Sequence, residues 1–231
     1  MGRKKLEWYP GAMYHVTARG NRRSDIFKEE IDFEFYLRCM EEALCYYKDC
    51  YRIISYCLMT NHVHIQIEAK EKPINFYIGR INNFYAKNFN KKYNFIGHLF
   101  QSRYNAEIIE KDGYVLEVSR YIHLNPMRAQ MVEKPEDYEW SSYSMYIGNQ
   151  REKLICSKQL LSYFNNESRE LYKKYVELSI IKDEALGKQE NLKHEVAEIK
   201  SEVNSMRKDM SSVEIITANN WADIAKLKAI K

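Results

Sequence analysis

The sequence predicts an α+β fold of the split βαβ type: a four-stranded antiparallel sheet, helices on one face and a helical tail beyond. Three observations predict it. Apolar patterns of period two and period 3.6 follow one another as strand, helix, strand, strand, helix, strand between residues 12 and 109. The two middle strands are joined only by Met59-Thr60-Asn61, a turn that forces them antiparallel. Beyond about residue 180 the turn signals disappear and a four-three apolar repeat takes their place. The element order is that of ferredoxin-like and RRM-like domains.

The first strand is Ala12-Met13-Tyr14-His15-Val16-Thr17-Ala18, weakly alternating and rich in β-formers. It runs into Arg19-Gly20-Asn21-Arg22-Arg23-Ser24, a basic loop whose guanidinium groups suit bidentate contacts with phosphate. A solvated surface turn would read the same way. From Glu29 to about Tyr47 the apolar residues Phe33, Leu37, Met40, Leu44 and Tyr47 recur at helical spacing. Two strands follow at about 51–58 and 62–68. Pro73 then opens a second helix to about Phe89, with Ile74, Ile78, Ile81 and Tyr85 on one face. Arg80, Lys87, Lys91 and Lys92 lie on or just past that helix, as a solvated face or a track for a phosphate backbone. A fourth strand is expected over about 103–109. A third helix is expected over about 113–124, stopping at Asn125-Pro126.

Composition narrows the function. The chain is 231 residues long, enough for one well-packed domain and an appendage. Its net charge of +4 is compatible with nucleic acid without being specific for it. No apolar run is long enough to span a bilayer, and Met1-Gly2-Arg3-Lys4-Lys5 leads into no signal segment. The five cysteines form no Cys-x-x-Cys pair and read as reduced thiols, which suggests a cytoplasmic protein.

The chemistry concentrates in two stretches. In Asn61-His62-Val63-His64-Ile65-Gln66-Ile67, a strand puts His62 and His64 on one face and Val63, Ile65 and Ile67 on the other. Two neighbouring imidazoles form half of a metal site. In Tyr121-Ile122-His123-Leu124-Asn125, the phenol and the amide are one helical turn apart. The Asn125 oxygen can complete a three-donor set with His62 and His64, and the Tyr121 hydroxyl can attack a phosphorus atom polarised there. Tyr114 lies on nearly the same face, but Val118, four residues on, cannot bind metal. His98 and His123 read as structural or DNA-facing, and Arg128 as a DNA contact or a turn anchor.

Asn-His-Val-His at 61–64, Gly-His-Leu-Phe-Gln-Ser-Arg-Tyr at 97–104, Tyr-Ile-His-Leu-Asn-Pro-Met-Arg-Ala at 121–129 and Glu-Trp-Ser-Ser-Tyr at 139–143 stand in a fixed order. Together they resemble the single-tyrosine HUH transposases, and most closely their REP-associated branch, over residues 8–148. The resemblance implies a metal-dependent enzyme that cleaves and transfers single-stranded DNA carrying a hairpin, through a 5′-phosphotyrosine. By position it implies Tyr121 as nucleophile, His62, His64 and Asn125 as ligands of Mg²⁺ or Mn²⁺, and no other cofactor. Some relatives carry glutamine where Asn125 stands. Arg19, Arg22, Arg23 and Arg103 would contact the DNA backbone, in a prokaryotic, nucleoid-associated setting. Two other classes share these features: an RRM-like binding module without chemistry, and a domesticated, non-mobile relative acting as a regulator. Sheet-face histidines rather than aromatics speak against the first.

Residues 149–181 read as a helical appendage, with Leu160, Leu161, Phe164, Leu171, Tyr175 and Leu178 as the apolar set. In the tail, 182–231, Val196, Val203 and Met210 take a positions and Leu192, Ile199, Met206 and Val213 take d positions. This seam predicts a short coiled coil and a homodimer; a single helix folded back on the catalytic domain is the other reading.

Overall fold

In the computed structural model, β1 (Ala12–Arg19), α1 (Glu30–Tyr46), β2 (Tyr51–Met59), β3 (His62–Ala69), α2 (Ile74–Tyr93), β4 (Asn105–Ile108) and α3 (Asp112–Arg128) follow in the expected order. The described residues are 6–110 and 112–181, without the side chains of 112 and 113, and 192, 193, 195–198, 200 and 201. The chain divides into two compact units, Met1–Val176 and Glu177–Lys231. The strands form one sheet in the order β2-β3-β1-β4, every neighbouring pair antiparallel.

Alternation decides the faces. On β1, Ala12, Tyr14, Val16 and Ala18 are buried, and Met13, His15, Thr17 and Arg19 point the other way. On β3, Val63, Ile65, Ile67 and Ala69 join the buried set. This face is covered by α1 and α2, which pack on each other. The buried apolar stripe of α1 is Phe33, Tyr36, Cys39, Met40 and Ala43: Phe33 and Met40 are as predicted, while Tyr36 and Ala43 replace Leu37 and Leu44, which are half-buried. Tyr36 takes the central place because its hydroxyl donates to the Asn82 Oδ1 of α2 at 2.9 Å.

The opposite face is not left open. Its β2 side carries α3: Cys57 and Met59 pack with Ile122 of α3 and with Tyr138. Gln66, fully buried, accepts from the Ser55 hydroxyl at 2.8 Å and donates to the Val115 carbonyl at 3.0 Å, tying β3 to the first turns of α3. The helix also outruns its predicted end, continuing through Pro126 to Arg128. Proline removes one backbone hydrogen bond at that point. Burial of Ile122, His123 and Leu124 holds the preceding turn in place, and the Ala129 and Met131 amides bond to the Asn125 and Pro126 carbonyls beyond it.

Segment 138–146 caps the outer edge of β2. The Leu58 amide donates to the Trp140 carbonyl at 2.9 Å, and the Tyr56 amide to Ser142 Oγ at 2.9 Å. Trp140 stacks on Phe33 at 4.7 Å. The predicted continuous helix of the appendage is broken into Ser157–Leu161, a short 3-10 turn at Asn165–Glu167, and a helix over 169–181. Asn166 and Glu167 adopt positive φ, which interrupts the helix. Tyr172 and Val176, outside the predicted apolar set, are its fully buried residues, whereas Leu171 and Leu178 are exposed. Most of the coiled-coil seam lies outside the described residues; 192, 193, 195–198, 200 and 201 are helical.

Candidate active site

His62 and His64 face the same side of β3, with rings 4.8 Å apart and nearly perpendicular. Their cross-strand partners on β1 are Arg19 and Thr17. Burial, with Arg19 adding to it, pushes the His62 imidazole down to about 4. Burial pushes His64 lower still, to about 2, with His62, His15 and Arg19 adding to it. Both imidazoles are therefore neutral at pH 7, the form that offers a lone pair.

Two neighbours orient them. The Asn61 amide donates from Nδ2 to the Arg23 carbonyl at 3.3 Å, so its oxygen must face His62. That oxygen lies 2.5 Å from His62 Nδ1, which is therefore the protonated nitrogen and leaves the lone pair on Nε2. His64 Nδ1 lies 2.9 Å from Nε2 of His15 on β1, and the two rings stack at 5.1 Å.

α3 brings the phenol. Tyr121 is 42% exposed, and its ring stands edge-on to both His64, at 5.6 Å, and His15, at 5.8 Å. Its hydroxyl makes no hydrogen bond among the described residues. The Arg128 guanidinium is 5.9 Å from the ring, within cation–π range. A cleft of about 630 Å³ opens here between α3 and strands β1 and β4, and Tyr114, Tyr121 and Arg128 all line it. Those three residues are seven apart along one helix, which places them on one face. Asn125, one turn beyond Tyr121, turns its Nδ2 back to the Tyr121 carbonyl at 2.9 Å and keeps Oδ1 as a spare acceptor. The structure thus brings His62, His64 and Tyr121 together, and places Asn125 on the same helix as Tyr121, with no hydrogen bond to either imidazole.

Among the described residues, no three His, Cys, Asp or Glu side chains cluster as a metal set. A third donor for the imidazole pair among the described residues would be an amide, hydroxyl or backbone oxygen. The residues fit a divalent cation in kind: two oriented neutral imidazoles, with a spare amide oxygen on the adjoining helix.

The basic loop lies at the same end of the sheet. Arg19, Arg22, Arg23 and Arg103 are exposed and form no ion pair among the described residues. The loop backbone is pinned on two sides: the Gly20 amide donates to Asn61 O and the Asn21 amide to Leu99 O, both at 2.8 Å. A Cβ on Gly20 would meet the Ser24 carbonyl oxygen at 2.1 Å, so the turn requires glycine. Arg22 and Arg23 sit at φ of 53° and 62°, an unfavourable backbone for arginine that this pinning maintains. Lys92, by contrast, is engaged with Asp32 and Glu29 at 2.7 and 3.2 Å. His98 is exposed. His123 is fully buried between the Tyr172 hydroxyl at 2.6 Å and Ser142 Oγ at 2.8 Å, and is structural.

A family model described as IS200-like transposase matches residues 9–125, which include both imidazoles, Tyr121 and Asn125. The chain belongs to the IS200-like transposase family. Among solved structures, this transposase is similar to the REP-associated tyrosine transposase bound to a REP hairpin, at 16% identity and a TM-score of 0.53. That match covers 68% of this chain and 91% of the other, and it shows a shared fold. A protein of Deinococcus radiodurans R1 assigned as a transposase matches at 12% identity and a TM-score of 0.37, over 52% of this chain and 95% of its own. No curated protein matches.

Sequence reasoning missed two residues of the site, His15 and Asn61. His15 shares the outward face of β1 with Thr17 and Arg19, so alternation marked it as facing the histidine pair once β1 and β3 are paired. Arg128, which the sequence offers as a DNA contact or a turn anchor, stands in the last turn of α3 and lines the cleft. Asn61 was treated only as turn chemistry.

Proposed function

We propose that this transposase cleaves and rejoins single-stranded DNA beside hairpins through a covalent 5′-phosphotyrosine at Tyr121. One observation carries the reading: an exposed phenol with an uncommitted hydroxyl stands against the oriented imidazole pair, 5.6 Å from His64. The Tyr121 oxygen would attack phosphorus, forming a P–O bond to tyrosine while the bond to the 3′ oxygen breaks. The leaving strand takes up a proton as the phenol loses one and ends as a free 3′-hydroxyl. One phosphodiester is exchanged for another, so an incoming 3′-hydroxyl can reverse the step without ATP.

His62 and His64, through Nε2, and Asn125, through Oδ1, would hold Mg²⁺ or Mn²⁺, with the imidazoles favouring Mn²⁺. When bound, such a cation supplies Lewis-acid polarisation of a nonbridging phosphate oxygen. All three donors are neutral, so they leave the ion's charge to the phosphate. Arg19, Arg22, Arg23 and Arg103 would hold the DNA backbone and set its register. A hairpin-bearing strand as substrate is supported by the REP hairpin on the protein of similar fold. The tail seam would pair two chains.

The test is incubation with hairpin-bearing single-stranded DNA from beside the protein's own gene, in Mn²⁺, scored as a covalent adduct on a denaturing gel. Wild type should form the adduct. Tyr121→Phe should form none while binding the same DNA within about twofold, since only one hydroxyl is lost. An adduct on Tyr121→Phe would refute the nucleophile.

A further inference from the structure

We propose that His15 is a positioning residue of the active site, holding His64 in the tautomer that carries its proton on Nδ1 and its lone pair on Nε2. This rests on the reading of His62 and His64 as a metal-binding pair, and adds a residue outside that pair.

The argument begins with the contact. His15 Nε2 and His64 Nδ1 are 2.9 Å apart, and Thr17, not His15, is the cross-strand partner of His64. The contact is therefore a diagonal one across the β1–β3 ladder. A hydrogen bond between two neutral imidazoles needs one N–H and one lone pair, so the direction of the bond assigns both rings at once. The metal-binding reading of His64 sets that direction. His64 can offer its Nε2 lone pair to a cation only when Nδ1 carries the ring proton. Nε2 of His15, 2.9 Å away, is then the acceptor, and the His15 proton lies on its Nδ1. His64 must then donate from Nδ1, and its free lone pair is on Nε2. This is the same outcome that Asn61 imposes on His62.

The second contact is with Tyr121. The rings of His15, His64 and Tyr121 make a triangle with sides of 5.1, 5.6 and 5.8 Å. His15 thus buttresses the ligand side and the nucleophile side together. Removing its ring frees His64 to rotate or change tautomer, and removes one wall against which the phenol is placed. Orienting partners of metal-binding histidines commonly change metal affinity 10- to 100-fold.

Two readouts test this. Two-bond ¹H–¹⁵N correlation spectra of ¹⁵N-histidine-labelled protein, without metal or DNA, report each tautomer. His64 should be protonated at Nδ1 in wild type and lose that fixed form in His15→Ala. Calorimetric titration with Mn²⁺ alone should show affinity falling at least about tenfold in His15→Ala. His15→Gln should stay within about threefold of wild type, because the amide oxygen can accept the same N–H. A wild-type His64 protonated at Nε2, or a His15→Ala that binds Mn²⁺ as wild type does, would overturn the proposal. Should wild type show the Nδ1 proton yet bind no Mn²⁺, the metal reading of the site fails while the tautomer assignment stands.

Discussion

Tyr121 is one of 19 tyrosines, and the fold uses most of the buried ones as staples. Tyr14, Tyr51, Tyr77, Tyr138 and Tyr146 each donate a phenol to a backbone carbonyl at 2.6 to 2.9 Å. Burial raises these phenols; Tyr14 reaches about 12. None is placed to act as a nucleophile. Tyr114 shares the cleft and is 63% exposed, but no ring contact joins it to the imidazoles. Tyr114→Phe is therefore expected to keep adduct formation within about threefold of wild type on the gel assay, because no developing bond involves it. His62→Ala or His64→Ala should each lower cleavage by roughly 10²-fold or more and weaken Mn²⁺ binding in a calorimetric titration. Asn125→Ala should lower it less, since water can replace one amide oxygen. Full cleavage in EDTA would refute the metal requirement for all three.

Secondary-structure elements are tied together by buried polar hubs as well as by apolar packing. Gln66 is the hub between β3 and α3, and its loss strands the Ser55 hydroxyl and the Val115 carbonyl. Gln66→Leu should cost roughly 2 kcal/mol in a urea titration, the range for unsatisfied buried partners. It should also slow cleavage, because α3 carries Tyr121. At the start of α1, Asp32 closes a capping box with Glu29. Burial raises its carboxyl, but hydrogen bonds from Lys92, Tyr93 and the Lys28 and Glu29 amides outweigh that and hold it below the ordinary 3.8. A folded-state value below the unfolded one means that the unfolded chain takes up the proton first on acidification. The contribution is full above about pH 4 and is lost as pH falls through the lower, folded value. Asp32→Asn should therefore lower the urea midpoint at pH 7. It should also make the further fall between pH 4 and pH 2.5 shallower than in wild type. A parallel fall would show that the Asp32 carboxylate does not drive the acid response.

The proposed site residues all lie before Val176, within the first compact unit. The tail is therefore expected to be dispensable for the chemistry on a short substrate, while the four-three seam from Leu192 to Val213 would pair two chains. A helix of this length alone is marginal in water, so the seam needs a partner. Removing residues 182–231 should leave cleavage of a short hairpin intact and convert a dimer to a monomer by light scattering. A full-length protein that scatters as a monomer would exclude the coiled coil. Among the described residues, no helix is long and apolar enough to cross a membrane.

Local pattern was sufficient for the order of the strands and helices, for the faces of β3, and for the spacing of Tyr121 and Asn125. These depend on periods of two and 3.6, which neighbouring residues impose whatever the rest of the chain does. On α1 the pattern places Phe33 and Met40 correctly but favours Leu37 over Tyr36, because Tyr36 owes its place to Asn82, which is 46 residues away. The run of α3 through Pro126 was likewise hidden, since burial against β2 and not local propensity keeps that turn helical. His15 shows the limit most plainly. Its own strand marks it as outward-facing, but its value to the site comes from a 2.9 Å contact across 49 residues. That contact exists only because hydrogen bonding between strands sets a register, and register belongs to the assembled sheet.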